Sequence, residues 1–200
     1  MSSHPRRPAQ LEPEQIERIP GETDTAYNSE LAHTTAQAIV PLPGVFREDD
    51  PGVDDRILAM VRSEGIDVIA ESWVRSPEDS LPGILWRGFL LSEWIRRYPD
   101  AVSERLAAAK QVSEREVKAS PDQVRQEWAN VFEGAYSGDF GKVLADSAHL
   151  TSVLAQVEPA WIKNDMHPLA TEVTRRKTAM IVTSEEFLRA AELYRGGELN

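Results

Sequence analysis

One stretch constrains the fold more than any other: Ser76–Asp100, SPEDSLPGILWRGFLLSEWIRRYPD. Ser80 suits a helix cap, and Pro82 falls in the first turn, where a missing N–H costs little. Leu81, Ile84, Leu85, Leu91 and Ile95 form an apolar stripe at helical spacing, and Trp86, Phe89, Leu90 and Trp94 widen it nearly round the helix. Arg87, Glu93, Arg96 and Arg97 interrupt the run, which is too short to cross a bilayer. A helix apolar on most sides has to be a central one, packed by several neighbours. Gly88 in its middle costs about 1 kcal/mol relative to Ala, a cost that close approach of another helix would justify.

The segments that could surround it also show helical period. PGVDDRILAMVRSEG places Ile57, Leu58 and Val61 on one face, with Asp54 and Asp55 near the start and Gly65 as the stop. IDVIAESWVR has Ile66, Ile69 and Trp73 at helical spacing, although its β-branched content also suits a strand. DAVSERLAAAKQVSEREVKA is amphipathic but light in large apolar residues, which suits a peripheral helix. Ser120 and Gln123 form a capping box around Pro121, ahead of Val124, Trp128, Val131, Phe132 and Ala135 on one face. Asp139 caps the next helix, with Phe140, Val143, Leu144, Leu154 and Val157 inward. A further helix is expected from Leu169 to about Met180, and Thr183 with Glu186 reads as a capping box for a last one ending at Gly196 and Gly197. The expectation is an all-α, single-domain bundle of about seven helices with an extended N-terminal arm. Short connections favour antiparallel neighbours.

Residues 1–50 differ in character. They hold six of the thirteen prolines and carry nine acids against four bases. This region is expected to be a largely irregular acidic arm, with AIVPLPGVF extended against the domain. The helical domain spans 51–197, and 198–200 form a short tail.

Composition limits the function classes. The formal net charge is −11, which argues against nucleic acid or anionic lipid as the main partner. The chain has no cysteine, so disulfides, thiolate nucleophiles and Cys-ligated metals are excluded. No apolar core follows the charges of MSSHPRRPAQLEPEQ, and no long apolar run occurs elsewhere. The expected compartment is the cytoplasm, with no membrane partner. Neither a phosphate-binding glycine loop nor a nucleophile elbow is present, and no cofactor is expected.

Candidate chemistry is sparse. Asp146 and His149 stand at i, i+3, a spacing that lets two side chains meet one metal ion, but no second such pair accompanies them. Asp165 and His167 share the loop NDMHP beside Trp161, where Asp can raise the imidazole pKa; this is the first place to seek acid–base chemistry. The acidic pairs Asp54/Asp55, Glu78/Asp79 and Glu185/Glu186 each read as helix starts, which explains them without a substrate. Arg175–Lys177 is the only basic cluster in the folded part, and reads as a solvated helix face.

Trp86 and Trp94 lie off the main stripe and, with Phe46, are the candidate interface residues. The leading expectation is a non-catalytic helical interaction or regulatory module that binds a protein partner or self-associates as a homo-oligomer. The alternative is a small-ligand binder or metal-dependent enzyme of the all-α type, hydrolysing phosphate esters or nucleotides with acidic residues and His167.

Overall fold

The computed structural model describes residues 22–42, 52–112, 118–157 and 177–200. All regular structure among them is helical: α1 (Glu22–Ile39), α2 (Gly52–Glu64), α3 (Asp67–Ala70) running into a 3-10 turn (Glu71–Trp73), α4 (Leu81–Arg97), α5 (Pro99–Val112), α6 (Pro121–Phe132), α7 (Phe140–Leu154) and α8 (Lys177–Gly196). The protein is an all-α helical bundle.

The centre is α4. Ser80 Oγ accepts from the Gly83 amide, and eleven of the seventeen residues of α4 are buried, which few solvated helices could match. Gly88 is needed because Trp128 of α6 lies on it: a Cβ there would stand 2.3 Å from the indole ring. Trp128 is fully buried, and its N–H donates to Ser147 Oγ at 2.8 Å, tying α6 to α7. Trp73 is held in the same way, donating to Thr35 Oγ1 of α1 at 3.0 Å. The capping box at Ser120 has both of its bonds, and Asp139 caps α7 through the Lys142 amide.

α7 and α8 pack closely and run antiparallel. Gly141 near the start of α7 faces Tyr194 near the end of α8, while Ser184 Oγ donates to the carbonyl of Ala148 further along α7. Small buried residues (Gly141 and Ala148 of α7, Ala190 and Ala191 of α8) let the two backbones approach. Arg105 of α5 is buried and donates to the carbonyls of Leu154 and Val157, which lie at and beyond the end of α7.

Four local expectations are corrected. Residues 22–39, expected as irregular arm, form α1; its buried face is built from Ala32, Thr35, Ala36 and Ile39, too small a set to show as a strong apolar stripe. Residues 134–136 leave the helical path, with φ of 86° at Gly134 and 47° at Ala135. The amides of Ala135 and Tyr136 then donate to the last carbonyls of α1 at Ala38 and Ile39. Thr183 does not cap a separate last helix, because α8 already runs from Lys177; it is buried in mid-helix, and Glu185 and Glu186 lie there too. The 198–200 tail folds back: Leu199 is buried, and the Asn200 carbonyl accepts from the Leu81 amide at 2.5 Å, satisfying an orphan donor at the start of α4. The helix expected from Leu169 lies outside the described residues except for its end, which belongs to α8.

Candidate functional site

Among the described residues, an open volume that joins charged and apolar surface lies between α8 and the 74–79 loop, which leads into α4. This loop turns because Pro77 cannot continue the 3-10 segment, and Ser80 then closes it with a hydroxyl bond to the Pro77 carbonyl at 2.6 Å. A cleft of about 700 Å³ is lined by Ser76, Pro77, Glu78, Asp79 and Arg87 on one wall and Val182, Glu185, Glu186 and Arg189 on the other. A recess of about 410 Å³ continues it towards the start of α8, lined by Val74, Ala179, Val182 and Thr183 and sharing Ser76, Arg87 and Glu186. The two form one groove along α8.

An ion pair closes its floor. Arg87 Nε donates to Glu186 Oε2 at 2.7 Å and Nη2 to Oε1 at 3.3 Å, a two-pronged bond with Glu186 largely buried. These two charges therefore answer each other. Glu78, Asp79 and Glu185 remain on the rim, so the cleft carries four carboxylates against two guanidiniums. The groove is also edged with aliphatic surface: Val74 is 46% exposed and Val182 is 45% exposed. On the outward side of α8, Ile181 and Leu188 are 39% and 51% exposed, and at 3.6 residues per turn they fall on one stripe with Glu185 and Glu192.

The residues singled out from sequence are scattered. Asp146 accepts from Lys142 Nζ at 2.6 Å, and the same ammonium bonds Glu127 of α6, which raises the Lys142 pKa well above its ordinary value. His149 is half-buried one turn further along α7. No group of three or more His, Asp or Glu residues arranged to hold a metal ion occurs among the described residues. Asp165, His167 and Phe46 lie outside the described residues. Trp94 is 5% exposed, and Trp86 is half-buried, stacked on Phe89 with ring centroids 5.6 Å apart. Neither indole N–H meets an acceptor among the described residues.

The α4–α8 groove was missed in sequence because its walls are 99 residues apart at the ion pair. The available signal was Arg87, a lone cation on an otherwise apolar stretch, which implies a carboxylate from another element. No helix among the described residues is long and apolar enough to cross a membrane. No protein-family model, characterised protein or solved structure matches the chain.

Proposed function

We propose that the chain is a non-catalytic helical interaction module that recognises protein, including a second copy of itself, through the outer face of α8 and the groove beside it. The observation that carries this reading is the aliphatic surface there: Val74, Ile181, Val182 and Leu188 are all exposed on or across from one helix. Aliphatic side chains grouped on a surface gain free energy when a partner covers them, and charged residues around them give the contact its specificity.

Light scattering on the full chain tests self-association. The expected result is a dimer that Leu188→Glu, and separately Val182→Glu, convert to monomer while the far-UV spectrum and melting temperature stay near those of the parent. Both positions are exposed, so neither change should disturb the core. A monomer at every concentration sinks self-association. A dimer that ignores both variants moves the contact to another face.

The groove also supports a second reading, a small-ligand site, since its volume falls within the range of ligand clefts. A pocket ligand would raise the melting temperature of the monomer without changing its mass, which separates the two readings.

A further inference from the structure

The start of α4 has one donor that its own first turn does not satisfy. Pro82 has no N–H, the Gly83 amide donates to Ser80 Oγ and the Ile84 amide to the Ser80 carbonyl. Leu81 is fully buried, so water does not reach its amide, and its acceptor is the Asn200 carbonyl, far along the sequence. What carries that carbonyl there is short. After α8, Gly197 turns with φ of 70°, and the amides of Glu198 and Leu199 both donate back to the Leu193 carbonyl, at 2.9 and 3.3 Å. Beyond that turn, among the described residues, Leu199 brings the one buried side chain and the Asn200 carbonyl the one backbone bond to another helix. Glu198 and Asn200 are exposed. The body of α8, by contrast, is held by a buried face that includes Met180, Phe187, Ala190 and Ala191.

We infer that Gly197–Asn200 is a latch that opens and closes as one unit on an otherwise folded bundle. Gly197 is its hinge, Leu199 its plug and the Asn200 carbonyl its catch. Segments held by few buried contacts open at a lower free energy than the whole fold, whereas elements held by a full apolar face open with it. Opening exposes two groups together: the Leu199 side chain, and a Leu81 amide left without its acceptor. Because Leu81 follows directly on Ser80, which closes the 74–79 loop, the closed latch pins the exit of that loop to the end of α8.

Amide hydrogen exchange on the ¹⁵N-labelled full chain tests this, with protection at Leu81 read against Leu85 and Leu91 in the body of α4. In the parent, Leu81 is expected to be less protected than both and to open together with Leu199. Gly197→Ala adds a Cβ that meets nothing within 4 Å, so it acts only through the left-handed backbone it must adopt. It should speed Leu81 exchange about 5–30-fold, the population change that matches the cost of that conformation, and leave Leu85 and Leu91 as they were. Leu199→Ala removes the plug and should speed Leu81 at least as much, again without moving the other two. Asn200→Ala keeps the carbonyl and should change none of the three. Equal protection of all three amides in the parent, or variants that speed all three alike, overturns the inference, because the tail then opens only with the bundle. Leu81 exchange that ignores both Gly197→Ala and Leu199→Ala overturns it as well, since its protection would not depend on the tail.

Discussion

Arg87 and Gly88 are neighbours in sequence and point to different helices, and the two seams they make are opposites. At Gly88 the α4–α6 seam is closed by shape: no atom separates the backbone from the Trp128 ring. At Arg87 the α4–α8 seam is closed by charge, with a long side chain bridging to Glu186 and open volume on either side. A seam made by direct ring-on-backbone contact has one solution and tolerates little change. A seam bridged by two flexible charged side chains leaves room for a groove. The candidate site lies where it does because α4 is locked on one side and only spanned on the other.

The sharpest way to break the locked seam is Trp128→Ala. It removes the largest buried ring of α6, its contacts with Phe132, Phe140 and Phe187, and the donor to Ser147. A loss of about 3–5 kcal/mol is expected in denaturant unfolding, the usual range for deleting a buried aromatic.

Next in size is Gly88→Ala, where the new methyl overlaps the indole. Overpacking of this kind costs roughly 1–3 kcal/mol. The informative form is the double variant. In the Trp128→Ala background the overlap is gone and alanine's better helix propensity, about 1 kcal/mol, remains. The same Gly88→Ala change should then stabilise. If it destabilises equally in both backgrounds, Trp128 is not the reason for the glycine.

The two seams also differ in how far sequence could reveal them. That something approaches Gly88 closely was legible, because a glycine inside a strongly apolar helix has few other reasons. The caps at Ser80, Ser120 and Asp139 were legible too, since each is a local bond spanning three residues. α1 was not: a helix buried mainly through alanines and one threonine has almost no apolar contrast, and flanking prolines drew that stretch towards an irregular reading. Thr183 matched a capping pattern yet lies in mid-helix, because the same residue pair satisfies the pattern whether or not the helix has already begun. The groove depends on tertiary placement of Glu186 against Arg87, which no local rule encodes. Of the expected interface residues Trp86, Trp94 and Phe46, Trp94 lies in the interior, Trp86 at its edge and Phe46 outside the described residues, since helical angle alone does not say which neighbours cover a face.

The spanned seam should respond less. Glu186→Gln leaves Arg87 facing a neutral amide, and the half-buried setting places the loss at about 1–2 kcal/mol, between exposed and buried pairs. Arg87→Met/Glu186→Leu should recover part of it, because two apolar groups leave no charge unanswered. A double variant worse than either single change would mean that the pair also positions the 74–79 loop.

The smallest effect expected lies at the far end of α4 and appears only with pH. Glu93 accepts two bonds from Arg96 at 2.7 Å and one from Arg97 at 2.9 Å. The bonds from Arg96 pull its carboxyl below the ordinary glutamate value, against the upward push of partial burial, and Arg97 adds to the pull. A carboxyl whose folded pKa is depressed contributes stability that is fully present above the unfolded value of about 4.3 and is lost as pH falls through the folded value. In that window the unfolded chain binds more protons, so stability rises with pH. Glu93→Gln should therefore melt slightly lower than the parent at neutral pH, and the two melting curves should converge below about pH 4. Melting temperatures measured from neutral pH downward check this, and curves that stay parallel throughout would show that the Arg96 and Arg97 bonds add nothing to folding. Both seams lie elsewhere on α4, so this variant should leave the Gly88→Ala sign reversal untouched, which makes it the control for that test.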